Sequence, residues 1–412
     1  MGGHMTKAIN SEYIPNLIDS MLSNLHTSDH SFLLIKHYNT FDLTAEYVDS
    51  LAKERPDTLF LYHSFDSSSM ISAYEPILGW IKSFFYEQSA LSMDDFFDAC
   101  NVYPLHRSVF RSYFTKGICS REEEPLLNEI AFEQKRFVAE LTRMLHYLSD
   151  NRPMLLVFNR LHSAGASTLS VITELLSNEN IQNIAVLATY NEVAPEIPYL
   201  QTELQTLRKF FSKHNCVLDW SVYSEDDKIE DTNTGFLFDS QHISEYCVQL
   251  INMYHTLALS QADYYLDIIY RKLEVEKIYI LPEYRFALLE LYAQTALYQD
   301  KSSDALLYCH MQGSLIENTS HTSWGFRHHF LEGQIHMYSC QQDSAARHIA
   351  ECRALLPELD NPFLAFRVDM LDYMNAFNGW RNIWVFNSDY KQHTSIVDQA
   401  LKYNYLNHAA HI

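Results

Sequence analysis

The sequence predicts an α/β domain with a parallel sheet, followed by an all-α domain of helical repeats. Two short, unbroken apolar runs at residues 154–158 and 184–188 are typical of strands buried on both faces of a parallel sheet. Residues 168–176 between them carry apolar side chains at helical spacing, which completes a strand–helix–strand unit. Beyond an acidic stretch near residue 230, only helical patterns follow, and they repeat.

The domain boundaries follow from this change of pattern. Residues 1–5 (Met-Gly-Gly-His-Met) look like a remnant of an expression vector and are left out of the fold. We expect the α/β domain to span residues 6–223, an acidic linker to span 224–238 and the helical-repeat domain to span 239–412.

The first domain alternates between strand and helix patterns, which favours a parallel sheet. A further helix is expected to start near Pro76, because proline suits the first helical turn. The predicted strands are residues 31–35, 58–62, 154–158, 184–188 and 216–223. The predicted helices are residues 12–25, 43–53, 92–101, 124–149, 168–176 and 204–214.

The stretch from Pro153 to Tyr190 carries motifs of a known family. Leu161-His162, Ser167-Thr168-Leu169 and Ala188-Thr189-Tyr190 follow or end the two buried strands in a fixed order. This pattern resembles the second nucleotide-site motif of the signal-transduction P-loop ATPases (STAND, AAA-like) of bacterial regulators. The resemblance implies a P-loop ATPase-like fold for residues 6–223.

The residues that such a nucleotide site requires are replaced in this chain. A P-loop is rich in glycine and ends in Gly-Lys-Ser/Thr, but here Leu43 precedes Thr44, which takes the hydroxyl position. The acidic residues that the family carries after the strand at 154–158 are Asn159 and Arg160. We therefore expect a degenerate, vestigial nucleotide site at Thr44, Asn159 and Arg160, with no catalytic residues, no cofactor and no binding of ATP or magnesium.

Two readings of Asn159 and Arg160 stay open, because ligands of parallel α/β sheets bind at the carboxyl ends of strands. Arg160 could hold a phosphate or a carboxylate there. The favoured interpretation is that the pocket has filled in and that Arg160 pairs with a neighbouring carboxylate.

Two helix pairs in the second half align at a period of 40 residues. They span residues 286–299 with 304–316, and 324–340 with 343–356. Small residues match between the pairs, and a proline should close the second pair (Ala293 with Gly333, Ala305 with Ala345, then Pro357). This resembles the tetratricopeptide repeat, whose small residues let paired helices approach closely and whose stacked pairs bind peptides or protein segments. Further pairs are expected before and after these two.

Composition narrows the class of protein. The formal net charge is −22, with 52 acidic and 30 basic residues and no basic cluster, which argues against binding nucleic acid or an anionic membrane. Seven scattered cysteines without a Cys-x-x-Cys motif favour free thiols in a reducing compartment, so a cytoplasmic location is expected. No run of about 18 apolar residues is present.

Other candidate sites have simpler explanations. His328, His329 and His336 lie on one predicted helix, but a metal site would also require a nearby Glu or Cys, so solvated or core histidines are expected. Cys119 lies beside basic residues that could lower its pKa, although a reactive thiol is the less favoured reading. Ser167 is expected to cap a helix.

The sequence therefore predicts a non-catalytic regulatory or scaffold protein of signal transduction, of the kind found in bacterial regulators. It is expected to bind a protein or peptide partner through its helical repeats. Two alternatives stay open, namely a switch gated by unconventional ATP binding and a receptor for a peptide signal that controls transcription.

Overall fold

The strands and helices below belong to the described part of the chain. The computed structural model describes residues 14–23, 32–38, 43–88, 91–150, 152–178, 183–194, 197–214, 216–220, 235–316, 321–380, 390–403 and 405. Contacts divide the chain into two compact units, residues 1–103 with 134–238 and residues 104–133 with 239–412. The sequence analysis assigns residues 104–133 to the first domain, whereas these contacts group them with the helical unit.

The strands are β1 (Phe32–His37), β2 (Leu59–Ser64), β3 (Met154–Asn159), β4 (Ile184–Asn191) and β5 (Val217–Asp219). The first helices are α1 (residues 14–23), α2 (Ala45–Glu54), α3 (Ile77–Gln88), α4 (Met93–Ala99), α5 (Pro104–Lys116), α6 (Ile130–Ser149), α7 (Ala166–Ser177) and α8 (Gln201–Lys213). The later helices are α9 (Ile243–His255), α10 (Leu259–Glu274), α11 (Pro282–Tyr298), α12 (Ser302–Ile316), α13 (Thr322–Tyr338), α14 (Gln342–Leu359), α15 (Pro362–Trp380) and α16 (Tyr390–Lys402).

The sheet of the first unit is parallel throughout, as predicted. Its strand order is β2-β3-β4-β1-β5, and each pair of neighbours runs in the same direction. Every residue of β3 and β4 is buried, which explains why these strands read as unbroken apolar runs. β1 therefore lies between the last two strands in sequence, β4 and β5, rather than beside β2.

Alternate side chains of the strands pack against helices on opposite faces of the sheet. Leu155 and Val157 of β3 share one apolar cluster with Ile18 of α1 and Val48 of α2. Phe158 points to the other face, where the ring of Trp80 in α3 lies 5.5 Å from its own ring. The carboxyl ends of the strands stay clear of both helical layers, and this is where the predicted nucleotide site falls.

Two boundary predictions in the first unit are revised by the structure. The long helix predicted from residue 124 begins only at Ile130, and the helix α5 was not predicted. The predicted linker at 224–238 lies outside the described residues up to 234, and Leu237 then donates a backbone hydrogen bond of 2.9 Å to the Ser68 carbonyl. That end of the predicted linker is thus attached to the first unit.

The helical unit consists of successive antiparallel helix pairs, which confirms the prediction of an all-α second half at that level. The two predicted pairs are α11 with α12 and α13 with α14. The matched small residues are fully buried at the pair contacts, where Ala293 and Ala305 share one cluster and Ala345 lies in the next. A Cβ on Gly333 would lie 3.6 Å from the Cβ of His348, so glycine there permits α14 to approach α13 closely.

The period of 40 residues extends to the buried aromatic residues that begin the first helix of each pair. These positions are Tyr246, Phe286, Phe326 and Phe366. Pro357 does not close its helix as predicted, since α14 continues to Leu359. A proline in the last turn removes only one helical hydrogen bond, and the helix ends at the left-handed residue Asp360. Across the described ranges, no helix has the length and apolar character needed to cross a membrane.

Candidate functional site: the end of the sheet and a groove in the helical unit

The predicted vestigial site lies at the carboxyl ends of β2, β3 and β4, and the amide of Asn159 holds it together. Asn159 is fully buried. Its Oδ1 accepts a hydrogen bond of 2.8 Å from the Thr189 hydroxyl and one of 3.4 Å from the Leu43 backbone N–H. Its Nδ2 donates to the Ser64 hydroxyl at 2.9 Å. One neutral side chain thus joins two neighbouring strands and the start of α2.

The two other predicted residues of this site also serve the local structure. Thr44 caps α2, because its Oγ1 accepts a hydrogen bond of 3.3 Å from the Tyr47 N–H. Arg160 has a left-handed backbone conformation with φ of 58°, and its N–H donates to the Thr189 hydroxyl at 2.8 Å. The side chain of Arg160 is exposed.

These contacts do not fit a magnesium–nucleotide complex. Magnesium prefers carboxylate oxygens, whereas Asn159 offers one amide oxygen that already accepts two hydrogen bonds. The hydroxyl of Thr44 is used by its own helix. The structure brings Asn159 and the Leu43–Thr44 step together, as the sequence predicts, but it joins them through neutral hydrogen bonds.

The conserved-looking Ser-Thr pair of the motif holds a neighbouring turn. The Ser167 Oγ accepts a hydrogen bond of 2.8 Å from the Tyr74 N–H, and Thr168 donates to the Glu75 carbonyl at 2.5 Å. The expectation that Ser167 caps α7 is therefore wrong, since the residue at the cap is Gly165. Both hydroxyls are inside the helix and bind the chain ahead of α3.

Cys119 is not a reactive thiol in this structure. It is 1% exposed, and burial raises its pKa to about 12, which outweighs the effect of Arg121. Its backbone N–H donates to the Asn252 Oδ1 at 2.7 Å. The expectation of a lowered pKa is wrong because desolvation dominates over a nearby cation at this position.

The largest binding feature of the described residues is a groove of about 530 Å³ within the helical unit. It is lined by the first helix of each of four pairs, α9, α11, α13 and α15. Equivalent positions at the 40-residue period line it repeatedly, as in Ala287, Arg327 and Arg367. The repeat therefore builds the groove, as stacked helix pairs are expected to do.

Residues 119–125 of the same chain lie along this groove. The Glu124 carboxylate forms an ion pair with the Arg367 guanidinium and accepts a hydrogen bond of 3.0 Å from the Gln334 Nε2. Arg121 donates to the His255 carbonyl at 2.7 Å. The groove thus holds an extended acidic segment by one carboxylate clamp and by contacts to its backbone and side chains.

The electrostatics of the clamp favour a bound carboxylate. Burial alone would lower the pKa of Arg367, but the negative charge of Glu124 outweighs this effect and the net shift is upward. The Arg367 guanidinium also lies over the Phe330 ring, 4.3 Å from its centre. A second arginine at the equivalent position, Arg327, pairs with Glu290.

Sequence reasoning missed this groove because its parts are far apart in the chain. Glu124 and Arg367 are separated by 243 residues. The 40-residue spacing of Arg327 and Arg367 was the available signal, since it places both on the same helical face. Comparisons of the chain with protein-family models, with curated proteins and with solved structures find no match.

Proposed function

We propose that this chain is a non-catalytic regulatory or scaffold protein of signal transduction, as in bacterial regulators, with a tetratricopeptide-like helical domain that binds a partner protein. The partner contributes an extended segment with an acidic side chain, which takes the place of residues 119–125 in the groove. The observation that carries this proposal is the Glu124 carboxylate held between Arg367 and Gln334.

The groove supports this partner by its size and its chemistry. Its volume of about 530 Å³ falls in the range typical of specific binding sites. Its side chains combine aromatic rings, such as Phe330 and Tyr298, with arginines that pair with carboxylates. The chain's own segment then acts as a resident ligand, and a partner competes with it.

The first unit supports the non-catalytic part of the proposal. A degenerate P-loop ATPase-like domain agrees with the motifs of the sequence and with the neutral network around Asn159. In this reading the sheet is a structural platform, and the alternative of a nucleotide-gated switch finds no carboxylate among Asn159 and its printed partners. A receptor for an acidic peptide signal is a special case of the same groove chemistry.

A peptide supplied in trans tests the proposal. A fluorescent peptide of residues 118–127, with Cys119→Ser, is titrated into the full chain and into the double variant Arg121→Ala/Glu124→Ala. The double variant should bind the peptide about tenfold more tightly, because removing two anchors of the resident segment opens the groove.

Two further variants make the test specific. Arg367→Ala, added to the double variant, should remove most of this binding, whereas Arg353→Ala should not. Arg353 is the matched control because it pairs with Asp369 and Asp372 at an exposed position that does not line the groove. Equal binding by all of these chains would contradict the proposal.

A further inference from the structure

A cluster of histidines around one buried carboxylate lies on α12, α13 and α14. Glu332 is 6% exposed. Its two oxygens lie close to four imidazoles, with His310 Nε2 at 3.0 Å, His328 Nε2 at 3.2 Å, His348 Nδ1 at 3.5 Å and His336 Nε2 at 3.9 Å. The sequence analysis considered His328, His329 and His336 without this carboxylate, which supplies the ligand it found missing.

Three of these side chains converge with the spacing of a tetrahedral metal site. Bonds of about 2.0–2.1 Å at tetrahedral angles place neighbouring ligand atoms about 3.3–3.4 Å apart. The Nδ1 atoms of His329 and His348 are 3.3 Å apart, and His348 Nδ1 lies 3.5 Å from Glu332 Oε2. All three ligand atoms lie within 4.8 Å of one another.

The local sequence explains why these atoms meet. His329 and Glu332 are three residues apart on α13, so they occupy one side of that helix. Gly333 then lets α14 approach, and a Cβ there would lie 3.6 Å from the His348 Cβ. The small residue that marks the repeat is thus also what brings the third ligand into reach.

Neighbouring groups orient the proposed ligands. His310 contacts Oε1 of Glu332, and this leaves Oε2 directed at His348. His336 stacks on His348, with ring centres 5.5 Å apart, and its Nδ1 is 2.7 Å from the Gln341 Oε1. Burial lowers the pKa of both His329 and His348, which favours the neutral imidazole that a metal ion requires.

We propose that His329, Glu332 and His348 bind one divalent transition-metal ion of the zinc class. The ligands are the two Nδ1 atoms and Oε2, and a water molecule completes the tetrahedron. Two imidazoles and a carboxylate suit zinc and its neighbours better than magnesium or calcium, which prefer oxygen ligands alone. The ion joins the two helices of one repeat and so stabilises the pair that carries Arg327 and Phe330 of the groove.

Cys309 and His328 form a neighbouring group that we do not count among the ligands. The Cys309 Sγ lies 3.5 Å from the His328 Nδ1, on the opposite side of that ring from Glu332. One imidazole therefore cannot direct the same nitrogen at both. Burial raises the pKa of the Cys309 thiol well above its ordinary value, so the thiol stays protonated.

Metal binding by the full chain tests the proposal directly. The chain is stripped with a chelator, loaded with Zn²⁺ and passed through gel filtration, and the retained metal is counted. One Zn²⁺ ion per chain is expected, and Co²⁺ should give the visible absorption of a tetrahedral complex. His348→Asn and His329→Asn should each weaken binding by about 100-fold or more, because each removes one of three ligands.

Two matched histidine variants show whether the effect belongs to these ligands. His310→Asn should weaken binding by about tenfold, since it removes only a partner of Glu332. His321→Asn should keep the wild-type affinity, because His321 lies outside the cluster at an exposed position. Melting curves with and without Zn²⁺ confirm that each variant folds and show whether the ion stabilises it.

The opposite result is equally clear. In the absence of a metal site, His329 and His348 simply share one hydrogen-bonded proton across 3.3 Å. The wild-type chain would then retain no more Zn²⁺ than the His329→Asn/His348→Asn double variant, and Zn²⁺ would not raise the melting temperature of either. That outcome would overturn the proposal without affecting the peptide experiment on the groove.

Discussion

Polar side chains converge at two buried places in this chain, and the two places differ in how completely their hydrogen bonds are matched. At the carboxyl end of the sheet, Asn159 accepts from Thr189 and Leu43 and donates to Ser64. In the histidine cluster, one carboxylate faces four imidazoles, and two imidazole nitrogens face each other. A matched network holds a fold together, whereas a surplus of lone pairs provides capacity for a ligand.

The groove shows a third arrangement, in which the ligand capacity is satisfied by the chain itself. Arg367 and Gln334 hold Glu124, so the charges balance without leaving the site closed. The residues involved are half-buried and can exchange partners. The helical unit therefore carries both proposed binding activities.

The largest effect is expected where the matched network is broken. Asn159→Leu leaves the Ser64 and Thr189 hydroxyls and the Leu43 N–H without their partner, at a cost of about 3 kcal/mol in the free energy of unfolding. Urea unfolding followed by circular dichroism measures this change. Asn128→Leu, at an exposed position, is the control and should change the free energy by less than about 0.5 kcal/mol. A small effect of Asn159→Leu would show that the network is dispensable.

A pH effect of about 2 kcal/mol is expected from His255 beside the groove. Burial, and then the charge of Arg121, lower its pKa from the ordinary value of 6.5 to about 4. The unfolded chain therefore binds more protons between these values, so stability falls as the pH decreases from about 6.5 to about 4. His255→Gln should flatten this part of the curve of unfolding free energy against pH. An unchanged slope would contradict the assignment.

The clamp of the groove should contribute less, about 1.5 kcal/mol. Arg367 and Glu124 are partly shielded from water, with side chains 22% and 32% exposed. A double-mutant cycle with Arg367→Ala and Glu124→Ala measures their coupling. The pair Arg271 and Asp267, whose side chains are 71% and 43% exposed, is the control and should couple by less than about 0.5 kcal/mol. Equal coupling for both pairs would remove the distinction between clamp and surface.

The smallest expected effect separates two glycines by their surroundings. A Cβ on Gly313 would lie 2.9 Å from the His328 ring, so Gly313→Ala should destabilise the chain by about 1 kcal/mol. A Cβ on Gly79 in α3 meets nothing within 4 Å, so Gly79→Ala should stabilise by about 0.5–1 kcal/mol. Thermal melts of the two variants should shift in opposite directions. Shifts of the same sign would show that the space at His328 is not restrictive.

Local pattern was enough to predict the buried strands, the helix pairs and the position of Asn159. Strands β3 and β4 have no polar face, and the 40-residue period places equivalent residues on equivalent helix faces. The spacing of His328, Glu332 and His336 at four-residue intervals also indicates one face of α13. It was a usable signal for the carboxylate.

Contacts between distant parts of the chain could not be predicted in the same way. Nothing in the local sequence of residues 119–125 indicates that Glu124 meets Arg367, and α5 lacks a strong apolar periodicity to reveal it. His348 joins His329 only because Gly333 permits a close helix contact. Hydrogen-bond partners such as Ser64 for Asn159 likewise depend on the strand order, which single-sequence patterns do not encode.

The most direct test of the central claim is thermal unfolding of the full chain with and without millimolar ATP, ADP and magnesium. A ligand that binds only the folded state at a hundred times its dissociation constant adds about 2.7 kcal/mol, which moves the melting temperature measurably. The neutral network at Asn159 predicts no shift, because the end of the sheet offers no ligand set for a magnesium–nucleotide complex. A clear shift that is lost in Arg160→Ala would contradict this account and would assign nucleotide binding to the first unit.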